Sequence, residues 1–314
     1  PSLRAPSRHT VFEAVLIAGP TASGKSAAAV VLADRLGGTV INADSMQVYS
    51  ELRVLTARPA VEDMERAPHR LYGTVPAREP YSAGRWVADA ATAIEEARSA
   101  GQVPILVGGT GLYFRALLQG LSPVPDIPDE IRRRWRDSAA SASASELHAA
   151  LSAQDPVMAE RLGPTDTQRL VRALEVIDST GVSLAEWQET AGAPVLEDKG
   201  LLKLAVAPER DVIYTAIDAR FDTMLREGAL AEVEALTSLR LDPGLPVMRA
   251  CGVPELASHL AGAMTLDEAA EKAKTASRRY AKRQMTWARR FMADWTRVPN
   301  AEAAALLGKD RPGA

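Results

Sequence analysis

Short apolar runs alternate with longer stretches of helical pattern through the first third of the chain. Residues 11–18 form an apolar run interrupted only by Glu13, and it ends at a Gly-rich turn. Residues 25–36 follow as an Ala-rich helix closed by Gly37-Gly38, the usual punctuation of a helix C-terminus. The pattern predicts a second strand over 39–43, a helix over 82–100 ending at Gly101, and a third strand over 103–107 ending in Gly108-Gly109-Thr110. Strands of this length alternating with helices predict βαβ units and a parallel sheet.

The pattern then changes. Pro123, Pro125 and Pro128 mark a boundary, and from residue 130 to about 190 the chain reads as almost wholly helical. Within it, 138–145 is a small Ala/Ser patch, read as a helix end or loop. Residues 201–206 look like a returning strand, followed by helical stretches over 211–238 and 266–295. The tail after Asn300 reads as a short helix and a frayed end. The simplest architecture is an α/β core over 11–120 and 201–300, a helical insertion over 121–200, and tails at 1–10 and 301–314.

A length of 314 residues has room for about two domains. One cysteine, Cys251, forms no intrachain disulfide, and four scattered histidines offer no Cys/His zinc cluster. No apolar run approaches the roughly 18 residues of a membrane span. Residues 1–10 lack the apolar segment and cleavage pattern of a secretion signal. The composition therefore points to a soluble, cytoplasmic protein. Its net charge of −3 argues, taken alone, against nucleic-acid binding.

Gly19-Pro20-Thr21-Ala22-Ser23-Gly24-Lys25-Ser26 matches G-x-x-x-x-G-K-[ST] in full, between an apolar strand and a helix. Glycines let backbone N–H groups turn inward around an anion, and the helix N-terminus adds its positive end. Lys25 supplies a point charge, and the Ser26 hydroxyl is a ligand for Mg²⁺. The motif predicts a site for a di- or triphosphate, as in nucleotide- and ATP-binding proteins. An NTPase normally adds an apolar strand ending in a metal-holding Asp. The strand over 103–107 has none, which weighs against hydrolysis.

Asp44 follows the second strand, where the carboxyl ends of an open α/β sheet line the ligand crevice. A carboxylate there is a general base, a metal ligand or a helix N-cap. Thr110 is equally open, as a site residue or as the cap of a helix beginning near Leu112.

Charge is unevenly spread. Lys272, Lys274, Arg278, Arg279, Lys282, Arg283, Arg289 and Arg290 stand in a segment without acids, interleaved with Tyr280 and Trp287. A chain of net −3 that carries +8 there carries −11 elsewhere. Arg132, Arg133, Arg134 and Arg136 likewise flank Trp135. Such runs neutralise phosphates and their aromatics stack on splayed bases; the alternative is a solvated helix face whose aromatics pack inward.

Taken together, these residues resemble the bacterial tRNA dimethylallyltransferase (tRNA isopentenyltransferase) family. The resemblance is carried by Gly19–Ser26, by Asp44-Ser45-Met46-Gln47-Val48-Tyr49, by Thr56-Ala57-Arg58-Pro59 and Pro68-His69, and by Val107-Gly108-Gly109-Thr110-Gly111-Leu112-Tyr113. Gln168-Arg169-Leu170-Val171-Arg172-Ala173-Leu174-Glu175 and Ala281-Lys282-Arg283-Gln284-Met285-Thr286-Trp287 extend it, over about residues 12–295. It implies a P-loop NTPase-like parallel sheet core with a mostly helical insertion domain. It also implies transfer of the dimethylallyl group from dimethylallyl diphosphate to N6 of the adenosine 3′ of the anticodon, position 37, with release of diphosphate. The loop would then hold that diphosphate, with Mg²⁺ at Ser26. Asp44 would act as base, with Thr110 and Arg220 assisting. The anticodon stem-loop of tRNA would meet Asp44, Ser45, Met46, Gln47 and Thr110, Gln168, Arg169, Leu170, Val171 and Arg172. It would also meet Arg249, Cys251 and Gly252, and Lys282, Arg283, Gln284, Met285, Thr286, Trp287 and Arg289. A monomer is expected.

The chain departs from the family pattern at Leu55, where Gly is usual, at Val253, where Tyr is usual, and in the 68–73 segment. Two other classes of function fit parts of the sequence: a P-loop nucleotide or small-molecule kinase, and a non-catalytic RNA-binding protein. A nearer alternative is an adenylate isopentenyltransferase acting on free AMP, ADP or ATP, against which the insertion and the basic helix weigh.

Overall fold

The computed structural model describes residues 12–190 and 192–307. Val11, the 1–10 segment and the expected frayed end at 308–314 lie outside the described residues. Six strands form one sheet, all pairs parallel: β1 (Ala14–Ala18), β2 (Gly38–Asn42), β3 (His69–Arg70), β4 (Val103–Gly108), β5 (Leu201–Val206) and β6 (Thr296–Val298), in the spatial order β3-β2-β4-β1-β5-β6. The apolar run in β1 is continuous because both its faces are covered. Ala14, Leu16 and Ala18 face one core with Trp86 and Phe114, whereas Val15 and Ile17 face the other, under Ala28, Ala29, Leu32 and Ala33 of the Lys25–Leu36 helix.

That helix has the predicted bounds, and Gly37 caps it in the left-handed conformation. The helix predicted over 82–100 runs Ala83–Ser99, with the Ser82 hydroxyl accepting from the Arg85 N–H. The stretch over 211–238 is broken at Gly228, whose φ of 103° ends Arg210–Arg226 and starts Ala229–Ser238. The last long helix stops at Phe291 rather than near Trp295, which turns into the core before β6. β3, β6, the Val61–Arg66 and Val253–Leu260 helices and the Pro246–Arg249 turn have no counterpart in the sequence pattern. Each is too short to hold a readable period.

The chain divides into two compact units, Gln119–Pro194 and the sheet-bearing remainder. At the division, the N–H groups of Val195 and Leu196 both reach the Leu117 carbonyl, so the chain re-enters the sheet-bearing unit beside the point where it left. The smaller unit builds its own core from Leu147, Leu151, Met158, Leu170 and Leu174. Its Ala/Ser patch ends one helix at Ser141, and Ser143 then opens Ala144–Gln154 with a capping box to Glu146. Arg134 and Trp135 both contact Asp178, and Arg136 and Arg172 contact the buried Glu175. The ties from Arg134, Trp135 and Arg136 join the Asp129–Ser141 and Thr167–Thr180 helices, whereas Arg172 and Glu175 stand on the same helix.

The site rests on a close approach at the carboxyl ends of the central strands. A Cβ on Gly108 would stand 2.0 Å from the Ala43 carbonyl oxygen, a backbone atom with no rotamer to yield. Gly108→Ala is therefore expected to cost about 3 kcal/mol, read as a lower urea midpoint at unchanged m; a loss below about 0.5 kcal/mol would show that β2 and β4 can separate freely.

Candidate active site

Turns after β1, β2 and β4 meet over one edge of the sheet. Gly19 N–H donates to the Gly108 carbonyl (3.3 Å), Ala43 N–H to Val107 (2.8 Å), and Thr110 N–H to Ala43 (3.2 Å). The first turn is the phosphate loop. Gly24 adopts φ 82° and opens the Lys25–Leu36 helix, whose first N–H groups face the loop. Lys25 Nζ donates to the Pro20 carbonyl within the loop (3.2 Å). Burial pulls its pKa down to about 8, Asp44 opposes that shift and Arg220 adds to it. The buried Ser23 hydroxyl has no hydrogen-bond partner among the described residues. An enclosed ammonium beside an unsatisfied hydroxyl and free helix N–H groups makes an anion site.

Arg220 closes the loop from the Arg210–Arg226 helix, its Nη2 donating to the Thr21 hydroxyl. Burial lowers the pKa of this guanidinium while Asp44 and Cys251 raise it. Two desolvated cations thus flank the loop, and Asp44 is the acid that compensates both.

Asp44 caps no helix. Its Oδ1 accepts the Met46 N–H (2.9 Å), an Asx turn, while the buried Asn42 accepts the Asp44 N–H (2.8 Å) and donates to the Asp44 carbonyl (2.9 Å). Oδ2 has no hydrogen-bond partner among the described residues. Thr110 is not a side-chain cap either: its hydroxyl accepts the Ser45 N–H (3.0 Å) and donates to Ser45 Oγ (3.3 Å), with the Tyr280 hydroxyl beside it. Burial and the nearby Asp44 charge raise the pKa of Tyr72, Tyr113 and Tyr280, so all three phenols stay neutral around that carboxylate. Sequence reasoning did not mark Tyr72 and Tyr280 as neighbours of Asp44, because only the fold brings 72 and 280 to one place.

The basic helix, Leu266–Phe291, has two faces. Lys274 pairs with Asp222 (2.7 Å) and Arg278 with Asp218 (2.5 Å), so two of its eight cations clamp it to the helix that carries Arg220. Lys282, Arg283, Thr286 and Arg289 are exposed. Gln284, Met285 and Trp287 are turned inward. Met285 packs with Ala22 of the phosphate loop against Ile213 and Ile217. The Trp287 ring lies where a Cβ on Gly111 would be, 2.2 Å away, and tilts against Phe291 at 4.7 Å. Of this helix's aromatics, Trp287 is therefore occupied by packing.

The remaining candidates are dispersed. Gln47 spends its amide on the Thr56 and Ala57 carbonyls (2.8 and 2.9 Å). Arg249 is exposed, and Cys251 lies against Ser277 and is charge-coupled to Glu255, Arg283 and Asp44. Gly252 has φ 95°, and Leu55, one of the departures, fills the space beside it; Val253 is fully buried. Both departures are thus accommodated in the core. In the smaller unit, Gln168 and Arg169 are exposed, Val171 is partly buried, Arg172 is held to Glu175, and Leu170 is a fully buried core residue whose side chain has no place on the surface.

A parallel α/β sheet with a phosphate-loop motif after its β1 strand and an acid beyond β2 is the architecture of the P-loop NTPase-like class, here without the strand-end Asp on β4 that hydrolases of that class carry. The IPP transferase family model matches residues 47–291, and the chain belongs to that family. The matched span begins just beyond the phosphate loop and Asp44, but similarity to whole relatives includes the region. A tRNA dimethylallyltransferase of Methylocella silvestris is 54% identical over 297 residues, 94% of this chain and 98% of that one. The crystal structure of the full-length tRNA isopentenylpyrophosphate transferase of Bacillus halodurans superposes with a TM-score of 0.64 at 36% identity, over 90% of this chain and 88% of that one. A eukaryotic dimethylallyltransferase, in structures described as acting on tRNA, gives a TM-score of 0.78 at 29% identity, over 92% of this chain and 73% of that one.

Lys25 makes phosphate binding pH-dependent. Below its free pKa of about 8 the ammonium is already charged. Above it, binding an anion must first draw in a proton, so affinity for inorganic diphosphate falls by up to about tenfold per pH unit. Titration calorimetry between pH 7 and 9.5 should show this fall in the wild type. Lys25→Arg, charged throughout, should show only the ligand's own titration; parallel curves would refute the shift.

Proposed function

We propose that this protein is a tRNA dimethylallyltransferase, which moves the dimethylallyl group of dimethylallyl diphosphate to N6 of adenosine 37, 3′ of the anticodon, and releases diphosphate. The observation that carries this reading is Asp44: a carboxylate with one oxygen fixed in a turn and the other unbonded, within charge reach of both Lys25 and Arg220.

An exocyclic adenine amine is a poor nucleophile, so a base that takes its proton as the new bond forms is useful. As the C1–O bond of the donor breaks, the N6–C1 bond forms, the N6 proton passes to Asp44 Oδ2, and the bonding pair leaves on diphosphate. The growing negative charge meets Lys25, Arg220 and the loop N–H groups, already oriented by the fold. Mg²⁺ fits the donor set. It takes oxygen ligands and keeps several waters, so the Ser26 hydroxyl would hold it beside the diphosphate, where when bound it would offset charge on the leaving group. Thr110, tied to Ser45, keeps the acceptor side of Asp44 in place. Drawing adenine from a stacked anticodon loop is general for enzymes that modify bases, and the exposed cations of the basic helix supply the phosphate contacts. No described helix is long and apolar enough to cross a membrane. We assign the protein to the cytoplasm, as a monomer, on the reading of its substrate.

Incubation with labelled dimethylallyl diphosphate, Mg²⁺ and either unmodified tRNA or AMP tests the assignment. Label in tRNA supports it; preferential label in AMP, or ATP-dependent phosphoryl transfer instead, would replace it. Asp44→Asn should lower turnover by about 10²–10⁴-fold while diphosphate binding survives. Collapse of diphosphate binding would make Asp44 a structural or metal-holding residue.

A further inference from the structure

Gln284 stands at the centre of the inward face of the basic helix. Its Oε1 accepts the Thr21 N–H (2.9 Å), and its Nε2 donates to the Gly109 carbonyl (2.9 Å). These atoms belong to different turns: Thr21 to the phosphate loop, Gly109 to the turn that carries Thr110. The carboxamide uses one acceptor and one donor, so it spans the gap as a strut between the two loops. The fit is tight on the Gly109 side, where a Cβ would lie 2.1 Å from Nε2. One turn further along, Trp287 abuts Gly111 in the same way, and one turn back Tyr280 lies beside Thr110. Positions 280, 284 and 287 share one helix face, and all three meet the 109–111 turn. Gln284 alone among them also reaches the phosphate loop.

Thr21 is consequently fixed twice, through its N–H by Gln284 and through its hydroxyl by Arg220. The helices that supply these two groups are clamped together by the Asp218–Arg278 and Asp222–Lys274 pairs.

We propose that Gln284 is a positioning residue of the diphosphate site, holding the Thr21 side of the phosphate loop in register with the Thr110 turn, and not a contact for the acceptor RNA. This rests on the reading of the loop as the donor's diphosphate site. The Thr21 N–H is engaged by Gln284, so the residue acts by shaping the loop around Pro20–Lys25. Without the strut the loop keeps its sequence and its lysine but loses the tie that sets its distance from the acceptor side.

Gln284→Met removes both hydrogen bonds at nearly constant volume, and Gln284→Glu keeps the acceptor for Thr21 while losing the donor to Gly109. Binding of inorganic diphosphate by calorimetry should weaken about tenfold for Gln284→Met, with the KM for dimethylallyl diphosphate rising in parallel. Affinity for unmodified tRNA, by filter binding, should stay within about twofold of wild type, the scale of an untouched surface. Gly109→Ala should reproduce the donor-side loss, and adding it to Gln284→Ala, which frees the space, should cost little more than either alone. Weaker tRNA binding with unchanged diphosphate binding in Gln284→Met would overturn the proposal, as would full additivity of the Gly109→Ala and Gln284→Ala effects. If Gln284→Met does not fold, Gln284→Glu decides by the same two binding measurements. Diphosphate binding is scored without turnover, so a wild-type protein that binds diphosphate but transfers nothing to tRNA would refute the proposed function and leave this one standing.

Discussion

Backbone-to-backbone contact at the carboxyl edge of the sheet is the constraint on which the site depends. Gly19 bonds Gly108 and Thr110 bonds Ala43 directly, and Gly108 has no space for a side chain against Ala43. Three loops are thus brought within a few bonds of each other: the phosphate loop, the one that carries Asp44 and the one that carries Thr110. Side chains would have served as adjustable spacers here. Their exclusion makes the separation of anion site and acid a property of the sheet itself, set by the β2-β4-β1 register.

On that frame the electrostatics follow from burial. Lys25 and Arg220 are both enclosed, and each loses proton affinity by desolvation. Two unpaired buried cations would be costly, and the fold supplies one carboxylate, Asp44, for both. An anion held by the loop would supply the rest, and part of its binding energy would come from relieving these desolvated cations. The neutral phenols of Tyr72, Tyr113 and Tyr280 border Asp44 without offering it a further charge.

Much of this frame was legible in the residues. β5 and the Lys25–Leu36 helix have the predicted bounds, and β1, β2 and β4 lie within a few residues of prediction, because each is a strong apolar run or period bounded by glycine. The phosphate loop is a contiguous motif whose flanking strand and helix can be checked in the sequence. β3 and β6 are two and three residues long, and no period can be read in so few positions. The site was harder in proportion to its sequence separation. Asp44 and Thr110 sit at strand ends and can be found by position, but the ties from Gln284 to Thr21 and from Arg220 to Thr21 span 263 and 199 residues. Near Trp135, the exposed Arg134 and Arg136 pair with Asp178 and Glu175 of another helix, ties that a count of charges along the chain does not show.

The basic helix shows why net charge is a poor guide to partners. Of its eight cations, Lys274 and Arg278 are neutralised by Asp222 and Asp218, leaving six on the exposed or partly exposed side. Both pairs lie where this helix packs on its neighbour, so they orient the helix instead of attracting a ligand. With those two anchored, the polar Gln284 is committed to the two loops and Trp287 to Gly111, while Lys282, Arg283 and Arg289 face outward. A single helix therefore divides its chemistry by face: the side that determines the geometry of the loops is nearly uncharged, and the side left to solvent carries the charge that suits a polyanion. An overall charge of −3 conceals this division, because the compensating acids lie in the first turns of this helix and on other elements, outside the basic segment.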